Sequence, residues 1–128
     1  MKTKCIFLSL LFIFLTISCK EDITTTFIGQ IQVSPETASI GDEISISIST
    51  SLISVSTTVD GKNIIKSIEY YIDEEMVAES NLENENWKAT YKIVDLTPGF
   101  HTITAHCITT KKSYTIEEAI SPVQILIE

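Results

Sequence analysis

From Glu43 to Ser49 the chain alternates without a break, with isoleucines 44, 46 and 48 on one parity and serines 45, 47 and 49 on the other. A period of two with β-branched apolar residues is the mark of a half-buried strand. Ile31 and Val33 predict an earlier strand that stops at Pro35, and Gly41-Asp42 predicts the turn between the two. Ser51 to Asn63 is rich in Ser and Thr and reads as a long connection that turns at Asp60-Gly61. Ile64 to Asp73 is the next strand, with Ile64, Ile68, Tyr70 and Ile72 on one face. Asp73-Glu74-Glu75 turns it into a short strand, Met76 to Ala78, and Asn81 to Asn86 is a polar loop. Trp87, Ala89, Tyr91 and Ile93 alternate against Lys88, Thr90 and Lys92. After Thr97-Pro98-Gly99, a regular strand puts His101, Ile103, Ala105 and Cys107 on one side. Lys111-Lys112 is a turn, and strands Tyr114–Ile116 and Val123–Ile127 complete the pattern. Roughly seven or eight short strands, with turn signals about every ten residues, predict an all-β antiparallel sandwich.

The first residues break this pattern. Lys2 and Lys4 precede an apolar run from Ile6 to Ile17 that ends in Ser18-Cys19. The run suits a signal-peptide core and is shorter than the roughly 20 residues a spanning helix needs. A small residue followed by Cys at its end resembles the lipobox of bacterial lipoproteins. That resemblance implies cleavage after residue 18 and lipidation of Cys19, which anchors the chain by acyl chains such as palmitate; a plain secretory signal is the alternative. Lys20-Glu21-Asp22 is similar to the Lys-plus-acidic tag of surface-exposed lipoproteins in some Gram-negative bacteria, or else is a solvated tether. Residues 19–27 are expected to be tether and 28–128 the folded domain. At ~3.3 Å per extended residue, such a tether reaches at most about 25 Å.

A second resemblance concerns the domain. Ser67-Ile68-Glu69-Tyr70-Tyr71-Ile72-Asp73, Trp87-Lys88-Ala89 and Gly99-Phe100-His101-Thr102-Ile103-Thr104-Ala105 stand in the order found in bacterial immunoglobulin-like domains. The resemblance covers about residues 30 to 128 and implies an immunoglobulin-like sandwich, a fold that hosts many unrelated roles.

Composition narrows the partners. The net charge is −8 and there is no arginine. The first eighteen residues hold two of the lysines and none of the acids, so the chain without them is more acidic still. Such a surface argues against nucleic acid, whose phosphates need clustered Lys and Arg. If Cys5 leaves with the leader and Cys19 carries lipid, only Cys107 remains, and no internal disulfide forms.

Candidate chemistry is sparse. His101, two residues after Gly99 and of inward parity, is expected to hydrogen-bond the preceding turn as a corner residue. His106 has outward parity and no acidic neighbour in sequence, and Cys107 has the parity of a small buried hydrophobe. Oxygen ligands from Asp73-Glu74-Glu75 and Asn81–Asn86 meet around Ca²⁺ only if both loops lie at one end of the sandwich, and no dedicated calcium loop is present. No nucleophile, base or metal-ligand set of known spacing appears, so catalytic residues, metal and cofactors are all read as none. Loops are the better candidates. The Ser51–Asn63 connection, with Leu52, Ile53, Val55, Val59 and Asp60, is the expected ligand-binding loop.

These observations predict a lipid-anchored outer-membrane lipoprotein, exposed at the cell surface or else facing the periplasm. Its domain is expected to be a non-enzymatic binding module for a glycan or protein. The alternative is an accessory subunit that docks on a larger envelope complex by strand addition along an edge such as Met76–Ala78 or Val123–Ile127.

Overall fold

The computed structural model describes residues 23–50, 58–59 and 62–128, which form two packed sheets and a small two-stranded ladder. Chain order is β1 (Ile23–Ser34), β2 (Thr37–Ala38), β3 (Glu43–Thr50), β4 (Thr58–Val59), β5 (Lys62–Asn63), β6 (Ile65–Ile72), β7 (Glu75–Ser80), β8 (Ala89–Lys92), β9 (Gly99–Thr109), β10 (Tyr114–Ser121) and β11 (Val123–Ile127). One sheet runs β10-β1-β3-β8, the other β2-β11-β9-β6-β7, and β4 pairs with β5. With β10 set aside, β1-β3-β8 facing β11-β9-β6 is the arrangement of an immunoglobulin-like sandwich.

The sheets are mixed, not purely antiparallel as expected. β1 runs parallel to β10 and β2 parallel to β11. Both pairs have one origin. β1 and β2 form a single course broken at Pro35, and β10 and β11 form another broken at Pro122; each course changes sheet at its proline. Proline has no N–H to give a ladder, so the strand stops pairing there and the chain is free to cross. Alternation by two is the same in both orientations, so the sequence pattern is blind to this.

The isoleucines of β3 are fully buried beside Ile68, Tyr70 and Ile72 of β6, Ile103 of β9, and Ile125 and Ile127 of β11. Phe27 is also fully buried, edge-on to Trp87 with ring centroids 5.5 Å apart. This corrects the boundary drawn after residue 27. Ile23–Phe27 belong to β1, in register with Tyr114–Glu118, and are not tether.

Two local departures from simple alternation matter. In β6, Ile65 faces Thr109 and Ser67 faces Ile108, so Lys66 is an extra residue in a bulge, and Ser67 is buried along with its apolar neighbours. Trp87 is buried from a turn and not from a strand: Asn86 and Trp87 are both left-handed, and β8 begins only at Ala89. The Trp87 carbonyl accepts the buried Tyr70 hydroxyl at 2.7 Å, which fixes the turn against β6.

The register also defines two ends. Ile23, the Lys111-Lys112 turn and Asn63 lie at one end, the base; the Thr110 N–H donates to the Ile64 carbonyl there. Pro35, Gly41, the Asp73-Glu74 hairpin, Gly99 and Ile127 lie toward the other, the tip.

Candidate functional site

Cys19, Lys20, Glu21 and Asp22 lie outside the described residues, as do Leu52, Ile53, Val55 and Asp60 of the expected binding loop. Val59 is described only through its backbone, paired in β4 with Lys62 of β5 on either side of the expected Asp60-Gly61 turn. Among the described residues no helix is long and apolar enough to cross a membrane. No group of three or more His, Cys, Asp or Glu among them is placed to hold a metal ion. The two acidic loops weighed for calcium are kept apart by β7, which leaves the Asp73-Glu74 hairpin and runs six residues before Asn81, roughly 20 Å of strand.

The tip is tied together by His101. Nε2 bonds the Thr97 carbonyl at 2.6 Å, and Nδ1 bonds Oδ2 of Asp73. The corner role expected of His101 is therefore present, with a carboxylate partner that sequence distance concealed. A carbonyl and a carboxylate both accept, so both contacts are satisfied together when the ring is protonated and each nitrogen donates. The Asp73 hydrogen bond, then the Thr97 carbonyl, hold the His101 pKa above its ordinary value, while burial opposes them. The same bond, followed by the Thr102 N–H on Oδ1 at 3.1 Å, holds the Asp73 carboxyl below the usual carboxylate range. Asp73 and Glu74 have φ of 51° and 73°, the positive pair of a tight hairpin turn. The side chain of Asp73 thus joins this hairpin to the start of β9.

On the outer face of the β9-β6-β7 sheet, Tyr71 donates to Glu69 at 2.7 Å and stands edge-on to His106 at 5.2 Å. His106 is exposed as expected, but it has an acidic partner: its Nδ1 is 3.0 Å from Oε1 of Glu118 in β10. The other oxygen of Glu118 accepts the Cys107 N–H at 2.6 Å. β11 pairs with β9 only between Gly99 and Ile103, so Glu118 caps a backbone group beyond its reach. Cys107 is half-buried, and burial, then Glu118, pushes its thiol up to about 12. This is the environment of an inert thiol. The bulge at Lys66 opens a depression of about 270 Å³ lined by Lys66, Ser67, Glu79 and Asn81, in which the Ser67 hydroxyl donates to Glu79 at 2.5 Å.

Of the two strands suggested for edge pairing, β7 ends its sheet and β11 does not. β11 has β9 on one side and, at Leu126 and Ile127, β2 on the other. β7 is an edge, but Val77 bulges between the Ala78 and Met76 pairs, and Glu75 and Glu79 flank it. Bulges and charges are the usual defences of an edge.

The apolar tip was not anticipated from the sequence. Ile40, Val94 and Phe100 are 53 %, 63 % and 68 % exposed. Gly41 N–H donates to the Ile93 carbonyl, and Ile93 N–H to the Asp42 carbonyl, so Ile40 and Val94 come next on facing chains. Phe100 stands on the outer face of β9, opposite Leu126 of β11. A signal existed in Ile93-Val94, two adjacent apolar residues where alternation leaves room for one inside.

Compared with protein-family models, curated proteins and solved structures, the chain matches none.

Proposed function

We propose that this chain is a lipid-anchored lipoprotein of the outer membrane whose sandwich is a non-enzymatic binding module presented at the cell surface. The observation that carries the reading is the separation of the two ends. β1 starts at the base, while Ile40, Val94 and Phe100 stand exposed at the tip. With β1 beginning at Ile23, lipid on Cys19 leaves a tether that reaches at most about 13 Å at ~3.3 Å per residue, half of what the sequence suggested. So short a tether keeps the base against the membrane and turns the tip outward. Lys111 and Lys112, exposed in the turn beside Ile23, suit a base that faces anionic headgroups.

Protease digestion of intact cells tests this, beside a Cys19→Ala control. The expected result is digestion from outside in the unaltered chain, and release of the chain from the membrane fraction in the control. Protection until the outer membrane is broken would rule out surface presentation, and unchanged membrane retention of Cys19→Ala would rule out the anchor.

A further inference from the structure

We propose that the tip docks a basic polypeptide segment that carries an apolar side chain. The proposal deepens the binding-module reading and rests on it. Ile40, Val94 and Phe100 are large, apolar and more than half exposed. Exposed apolar residues rimmed by polar ones are the anatomy of a protein-binding surface. The rim here has one sign. Glu36, Asp42, Glu43, Glu74, Asp95 and Glu128 are exposed at or near this end, and among the described tip residues they face one lysine, Lys92, the cross-strand partner of Glu43. Lys62, Lys66, Lys111 and Lys112 all lie toward the base.

That polarity selects the occupant. A second copy meeting tip to tip would set like carboxylates against one another, which disfavours that pairing. Nucleic acid and anionic lipid are repelled for the same reason. Lysine and arginine side chains on a polypeptide are attracted to the rim, and an apolar residue between them finds Val94 or Phe100. The surface is also held in place before any partner arrives. His101 ties the Thr97 turn to the Asp73 hairpin, Asp42 accepts the Ser39 N–H at 2.9 Å, and backbone bonds of Gly41 and Asp42 with Ile93 fix the two chain segments that carry Ile40 and Val94. Little ordering remains to be done on binding.

The test uses the full chain, expressed in a Gram-negative host and purified in detergent, as bait for a displayed library of random dodecapeptides. The expected result is enrichment of peptides with net positive charge around an apolar residue. Their synthetic versions should bind at least roughly tenfold more weakly to Phe100→Ser and Val94→Ser, and to Asp95→Lys, the loss of one good contact or charge pair. Leu82→Ser, an exposed apolar position away from the tip, should leave binding unchanged, and higher ionic strength should slow association. Circular dichroism of each variant checks that the sheet is retained; the exposure of these side chains predicts that it is. No enrichment, enrichment of acidic or wholly polar peptides, or binding that survives all three tip variants would overturn the proposal. If that happens while intact cells still yield the domain to protease, the module reading stands and only this partner falls. If the domain is protected in intact cells, it is surface presentation that fails.

Discussion

Replacing His101 by Phe keeps a ring in the same buried space and removes both donors. His101 is only 8 % exposed, so the Thr97 carbonyl loses its partner where water reaches it poorly. The Asp73 carboxylate is about half open, so water takes over much of its share and the ion pair counts for little beyond its hydrogen bond. Two hydrogen bonds from the protonated ring, the one to Asp73 discounted for that exposure, give a loss of about 2 kcal/mol. For a domain of this size that lowers the Tm by roughly 10 °C. The sign of the pH dependence comes from the two directions. The His101 pKa is raised in the folded chain, so its contribution is complete below 6.5 and is lost as pH rises through the folded value. The Asp73 pKa is lowered, so its contribution is complete above 3.8 and is lost as pH falls through the folded value. The gap in stability between the unaltered chain and His101→Phe should therefore be widest between those two ordinary values and should narrow on both sides. Urea denaturation of both proteins across that range measures it, and taking the difference cancels every other titrating group. A gap that stays constant from acid to alkaline pH would refute the doubly donating imidazolium. So would a His101→Phe protein as stable as the unaltered one.

Gly29 has no room for a side chain: a Cβ there would lie 2.6 Å from Cγ2 of Ile48 and 2.7 Å from Cε1 of Phe27, both fully buried. Gly29→Ala should cost about 1–3 kcal/mol by overpacking, read as a lower urea midpoint at unchanged slope. Phe27→Ala should cost about 3–5 kcal/mol and expose Trp87, seen as a red shift of its fluorescence; a neutral outcome would return residues 23–27 to the tether. Cys107, with its thiol pushed up to about 12, should resist iodoacetamide at neutral pH in the folded chain and react promptly in urea, followed by mass spectrometry of its peptide.

Strand positions were legible because one buried face writes itself into the chain as alternation, nowhere more plainly than at Ile44, Ile46 and Ile48. Strand direction was not, because β1 beside β10 carries the same alternation whether parallel or antiparallel. Pro35 and Pro122 were visible as interruptions, but their shared role as sheet-switching points depends on which strands become neighbours. The first half of β1 was hidden by its composition: a run of threonines reads as tether until Phe27 is seen under Trp87. His101 was readable as a corner residue from its parity after Gly99. Its partner Asp73 lies 28 residues away and is brought to it by the β6–β9 ladder. His106 and Glu118 meet for a comparable reason, since the chain turns back at Lys111-Lys112 and β10, though it joins the other sheet, returns alongside β9. The apolar tip was the least legible part, because isolated Ile, Val and Phe residues look like core wherever parity alone is consulted.

In the proposed arrangement the base is held at the membrane and the tip is turned outward. The most direct measurement is labelling of intact cells with a bulky, membrane-impermeant maleimide, comparing Val94→Cys at the tip with Lys112→Cys at the base. Prompt labelling of the Val94→Cys protein, with the Lys112→Cys protein labelled fully only after detergent, is the predicted result. Equal labelling of both, the reverse order, or no labelling of either until the outer membrane is opened would contradict it.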